Sequence, residues 1–148
     1  MDKSTIPLAL AKLEDEEPID GRTRLQKMVF VIQQELMDRQ GLSENELYEY
    51  FAYDYGPFSK ELAEDIDRFL DQDLMSERRV EYEDKEKYLY EIEPRGKEAY
   101  GEDIEEEVSD ELLNLIRDVK DAFNNARLPD VIDYVYENYP EYAENSVY

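Results

Sequence analysis

The sequence predicts an α+β fold that is mostly helical. Three observations carry this reading. Apolar residues recur at steps of three and four over most of the chain, two short stretches switch to a period of two, and 41% of the 148 residues are hydrophobic, enough for a core. The length suits one domain with at most a short appended element.

The elements follow in order. Residues 4–13 read as a first helix, with Ser4 or Thr5 as cap, Pro7 in the first turn, and Ile6, Leu10 and Leu13 on one face. Glu14–Gly21 is an acidic loop broken by Pro18 and Gly21. From Thr23 to about Asp38 the residues Leu25, Met28, Val29, Ile32 and Leu36 give the strongest helical stripe, and Gly41 stops it. Alternation through Tyr48, Tyr50, Ala52 and Asp54, with Phe51 and Tyr53 opposite, predicts a short strand ending in a turn at Tyr55-Gly56-Pro57. Ser59 caps the next helix, whose stripe is Leu62, Ile66, Phe69 and Leu70, ending near Leu74. Arg78–Tyr82 and Lys87–Ile92 form a hairpin around the polar turn Glu83–Glu86. Pro94 opens a helix at its favoured position. A long amphipathic helix over 105–124 carries Val108, Leu112, Leu115, Ile116, Val119 and Phe123. Leu128-Pro129 opens a last helix that Pro140 ends.

Helix, helix, strand, helix, two-stranded hairpin, helix is the order of a winged helix-turn-helix-like domain, here over 1–101 with the hairpin as wing. Residues 102–148 form a C-terminal helical extension. The apolar stripe of 105–124 either packs back on this domain or pairs with a twin in a homodimer.

Composition removes several functions. There is no Cys and no His, so thiol chemistry, disulfides, the usual general base and the commonest zinc ligand are absent. The longest apolar run, Ile6–Ala11, is far short of the roughly 20 residues a membrane span needs. Met1-Asp2-Lys3-Ser4 lacks the basic-then-apolar layout of a signal peptide, so a cytoplasmic protein with no membrane role is expected. Carboxylate pairs such as Glu61–Asp65, Asp67–Asp71 and Glu102–Glu106 arise by chance in so acidic a chain, and none stands out for acid–base work. Asp71-Gln72-Asp73 fails as a calcium loop, because Ser76 stands where the loop needs Gly and Tyr82 where it needs Glu. With no Gly-rich phosphate loop either, no cofactor and no enzymatic activity are expected.

The formal charge is −23, from 40 acidic and 17 basic residues. An acidic tail does not explain it, since acids run from Asp2 to Glu144. Adaptation to molar salt, where the Debye length is about 3 Å and like charges barely repel, is favoured over mimicry of nucleic acid. Against this background Gly21–Gln34 contains no acid at all, yet holds Arg22, Arg24 and Lys27. These cations, extended by Arg78 and Arg79 if the wing folds over them, offer a patch for phosphate or an acidic partner. The competing explanation is that they pair with carboxylates inside the chain. The helix 59–73 would enter a DNA groove in a winged-helix reader, but its net charge of −4 argues against that. Tyr48, Tyr50, Tyr53 and Tyr55, and again Tyr134, Tyr136, Tyr139, Tyr142 and Tyr148, suit either an interface or half-buried packing.

Two motifs carry a resemblance. Gly21–Phe30, with Leu25-Gln26-Lys27 at its centre, followed by Tyr55-Gly56-Pro57-Phe58-Ser59-Lys60-Glu61-Leu62, resembles the YwgA-like proteins and the wider Panacea group, which includes SocA-like antitoxin domains. Leu128–Tyr136 with Tyr139–Tyr142 resembles the closing helix of YwgA-like members, and Tyr90–Lys97 the hairpin exit of winged-helix regulators, with Pro94 where Thr often stands. The resemblance implies a winged-helix-like fold without a catalytic centre, and a regulatory module that binds a protein partner, a toxin or a regulatory protein. In that case Leu25, Gln26, Tyr55, Gly56, Pro57 and Ser59 form its structural motif. The alternative is a DNA-binding transcriptional regulator.

Overall fold

The first helix, α1 (Thr5–Glu16), is apolar nearly all round, and Ile6, Ala9, Leu10 and Ala11 are fully buried. In the computed structural model, which describes residues 2–147 apart from the side chains of Glu44 and Asp103, its regular turns end at Leu13. Glu14, Asp15 and Glu16 then take positive φ and turn the chain into β1 (Ile19–Asp20). Tyr148 lies outside the described residues.

The predicted central helix is α2 (Arg22–Gln40), with Leu25, Met28, Val29, Phe30 and Ile32 fully buried. Gly41, left-handed at φ 66°, ends it by donating its N–H to the Met37 carbonyl. The tyrosine-rich stretch becomes a small hairpin, β2 (Phe51–Tyr53) and β3 (Gly56–Phe58). Tyr53 pairs with Gly56, so the reversal is Asp54-Tyr55, and Gly56-Pro57 belong to a strand instead of the expected turn. The reason is local: Gly56 at φ 97° rejoins the ladder directly after the turn, a conformation that side chains resist.

In α3 (Lys60–Asp71) the Ser59 hydroxyl accepts the Leu62 N–H at 3.1 Å, as its position predicts. β4 (Met75–Tyr82) and β5 (Lys85–Ile92) form the expected hairpin, longer and tighter than the sequence suggests. Its reversal is only Glu83-Asp84, both at positive φ, as a two-residue turn requires. β1 adds to β5, giving an antiparallel sheet in the order β1–β5–β4, separate from β2–β3.

Pro94 opens α4 (Pro94–Ala99), as expected. Gly96 sits against β4's entry so closely that an added Cβ would lie 2.1 Å from the Leu74 carbonyl oxygen. α5 (Asp110–Asn124) starts later than residue 105, because Ser109 is extended and its hydroxyl caps the Leu112 N–H. The predicted stripe is buried within the chain: Leu112, Leu115, Ile116, Val119 and Phe123 pack against α1 and α2. α6 (Leu128–Asn138) follows, and one apolar core runs from Ile6 to Val135 across the 101/102 boundary. Rings of Tyr50, Tyr139 and Tyr142 stand edge-on to Phe30, so these tyrosines serve packing. Residues 145–147 lie along β2, where Val147 donates its N–H to the Asp54 carbonyl. Among the described residues no helix is long and apolar enough to cross a membrane.

Candidate functional site

The two motifs noted in the sequence meet in space. Gln26 of α2 acts as a small strand partner to the chain ahead of α3: its amide N–H donates to the Ser59 carbonyl, and its Oε1 accepts the Ser59 N–H, both at 3.0 Å. Gln33, seven residues on and hence near the same face of the helix, brackets Tyr48 in the same way at 3.1 and 2.8 Å. With the nitrogen and the oxygen of each buried amide both bonded, neither polar atom is left without a partner, so these brackets hold the hairpin segment at low cost. Tyr50 adds a hydroxyl donated to the Gln26 carbonyl, and Lys27 donates to the Pro57 carbonyl at 3.1 Å.

Between α2, the hairpin and α3 this leaves an open basin of about 540 Å³. Tyr53, Tyr55 and Phe58 form its hairpin side, Gln26 and Lys27 its α2 side, and Ala63 its α3 side. Tyr53 and Tyr55 remain 37% and 50% exposed, and Phe51 beside them 44%, which is unusual for three neighbouring aromatics. Behind the hairpin, Gly56 meets the Tyr136 ring at the distance of a tight contact, 3.0 Å from an added Cβ, so α6 braces this wall.

The structure does not bring the five predicted cations to one surface. Arg24 is buried and hydrogen-bonds three carbonyls, those of Asp20, Phe123 and Ala126; the last two close the C-terminal end of α5. Lys27 is 3% exposed, and burial pushes its amine down to about 8. Arg22 stands half-exposed at the basin rim, where it donates to Asp67 at 2.6 Å and to the Tyr90 hydroxyl at 2.9 Å. Burial opposes its charge, but these bonds outweigh that and raise its pKa. Arg78 and Arg79 point to opposite faces of the hairpin, Arg78 paired with Glu91 and Arg79 with Glu81 and Glu86. Intramolecular pairing therefore accounts for Arg22, Arg78 and Arg79, whereas Arg24 and Lys27 are held by neutral carbonyls.

Sequence reasoning passed over Gln33, Ala63 and a third buried cation. Lys120 is fully buried in α5, donates to the carbonyls of Leu10 and Leu13 where α1 breaks, and is pushed down to about 8 by burial. The repeat of Gln at a seven-residue interval on an otherwise apolar face was the available sign of the first. Nothing in the sequence distinguishes Lys120 from a surface lysine. Among the described residues no group of three or more carboxylates is placed to hold a metal ion.

The chain belongs to the family of SocA-like antitoxins with a Panacea domain: that family's model matches residues 25–140, which run from the first turn of α2 through α6 and take in every basin residue except Arg22 and Thr23. No curated protein and no solved structure matches the chain.

Proposed function

We propose that the chain is a non-enzymatic regulatory module of the cytoplasm, antitoxin-like in the manner of its family, that holds a protein partner at the basin between α2, the β2–β3 hairpin and α3. The partner is a toxin or a regulatory protein. The observation that carries this reading is the pair of solvent-facing aromatics Tyr53 and Tyr55, with exposed Phe51 beside them, at an open concavity built by the paired motifs. Tyrosines that offer apolar area at small entropic cost are what interfaces favour. Residues 1–101 form a winged-helix-like part, which the sheet order β1–β5–β4 and its hairpin support, and 102–148 brace it.

The element order also favours a second reading, a DNA-binding regulator. The charges count against it. On α3 the exposed Glu64, Asp67 and Asp71 outnumber Lys60 and Arg68, and Arg68 pairs with Asp65. A helix of this sign facing phosphates gains nothing from counterion release.

Co-purification with the products of adjacent genes tests the proposal. The wild type is expected to retain such a partner, and the double change Tyr53→Ser, Tyr55→Ser to weaken it at least tenfold without lowering the melting temperature. A salt-dependent shift of random duplex DNA by the wild type, with no protein partner retained, would replace this reading by the second.

A further inference from the structure

The basin combines an apolar wall with a buried cation that no carboxylate answers. Arg22 at its rim already has Asp67 and Tyr90, and Glu77 stands 3.7 Å away. Lys27 is different: among the described residues its amine reaches only the Pro57 carbonyl, and no carboxylate lies within ion-pair distance of it. An ammonium has three N–H donors, so this contact leaves capacity for an acceptor arriving from the basin. Resting on the proposed docking role, we infer that the basin receives the C-terminal end of a partner polypeptide, a bulky apolar last residue with its α-carboxylate on Lys27.

A chain end fits better than an internal acidic residue. A segment passing through would carry backbone N–H and C=O groups into the basin from both directions, and each needs a partner there. The lining offers few inside the basin: Gln26 is engaged at both amide atoms by Ser59, Arg22 is engaged at the rim by Asp67 and Tyr90, and apart from Lys27 the rest is Tyr53, Tyr55, Phe58 and Ala63 with Thr23 and the Asp54 carboxylate. A terminus enters from one side only. Tyr53, Tyr55, Phe58 and Ala63 surround the last side chain, and the anion meets an amine in a partly desolvated setting, where such a pair is stronger than in water. The volume of about 540 Å³ accommodates the last two or so residues.

The test uses pooled fluorescein-labelled tetrapeptides randomised at the last two positions, made once with a free carboxylate and once amidated, in fluorescence polarisation and bead enrichment. The free-acid pool is expected to bind at least tenfold better than the amidated pool, with Leu, Met, Ile or Phe enriched at the last position. Lys27→Met, which keeps the stem and removes the charge, should abolish the difference, and Ala63→Phe, which fills the basin from α3, should abolish binding altogether. A thermal melt of each variant shows that it is folded. Equal binding of the two pools, enrichment of internal Asp or Glu, or a preference that survives Lys27→Met overturns the inference. If a co-purified partner is retained but the free-acid pool does not displace it, the carboxylate inference falls and the docking role stands. If no partner is retained at all, the docking role falls with it.

Discussion

The chain should become more stable as the pH rises from 7 to 9, opposite to the loss that alkaline conditions usually bring. Two buried amines cause this. Lys27 and Lys120 are pushed by burial from the ordinary 10.5 to about 8. Below about pH 8 both are charged in the folded and unfolded chain, so the full cost of burying the charge is present. Between about 8 and 10.5 the folded amines release their protons first, the unfolded state holds more, and folding is favoured increasingly. At about 1.4 kcal/mol per pKa unit, each lysine contributes on the order of 1 kcal/mol between pH 7 and pH 9. With no His and no Cys, little else titrates in that window. Above pH 10 the sign reverses, because burial raises the Tyr48 and Tyr50 hydroxyls and the unfolded chain ionises first. Urea midpoints at pH 7, 8 and 9 and fixed ionic strength measure the effect, with Lys27→Met and Lys120→Met as controls that each remove about half. A midpoint that is flat or lower at pH 9, or a rise that persists in the double variant, would refute the reasoning.

Further outcomes follow from other parts of the structure. The excess of 23 negative charges predicts a melting temperature that climbs from 0.1 to 3 M KCl as repulsion is screened, and a flat profile would count against salt adaptation. Gly96→Ala forces a Cβ into the Leu74 carbonyl and should cost about 1–3 kcal/mol in denaturant titrations, far more than Gly101→Ala, where an added Cβ meets nothing. Gln26→Leu leaves the Ser59 N–H unpaired in the interior, while the Ser59 carbonyl keeps the Ala63 N–H, and should cost about 1–3 kcal/mol and speed hydrogen exchange at Ser59.

The helices were legible because their apolar residues fall on one face and their ends carry caps that act locally: Ser59, Gly41, Pro94 and Pro129 all do at their positions what their chemistry dictates. The two hairpins were less so. Glu83-Asp84 and Asp54-Tyr55 reverse the chain with no Gly between the strands, and the turn motif at Gly56-Pro57 proved to be strand, since pairing with Tyr53 is decided across the ladder. The site was half legible. Leu25-Gln26-Lys27 and Tyr55-Gly56-Pro57 marked the place, but a cation's sign is visible in the sequence and its acceptor is not. Arg24 and Lys27 look like surface charge until the helix ends and loops that they fasten are in place.

Arg24, Lys27 and Lys120 all terminate on peptide oxygens, and that has a consequence for how this sequence can change. A carbonyl is supplied by every residue type, so no substitution elsewhere can delete the acceptor while the backbone keeps its path. Had these cations relied on Asp or Glu, exchanging an acid for a neutral residue would have orphaned a charge in the core. As built, the acidic exterior is free to be thinned or enriched as the ionic environment of the cell demands, without renegotiating a single one of these internal bonds. A version recoded for dilute buffer, with exposed Glu and Asp on α3 and the β4–β5 hairpin other than Asp67 and Glu77 replaced by Gln, Asn and Lys, should therefore keep the same interior and the same basin.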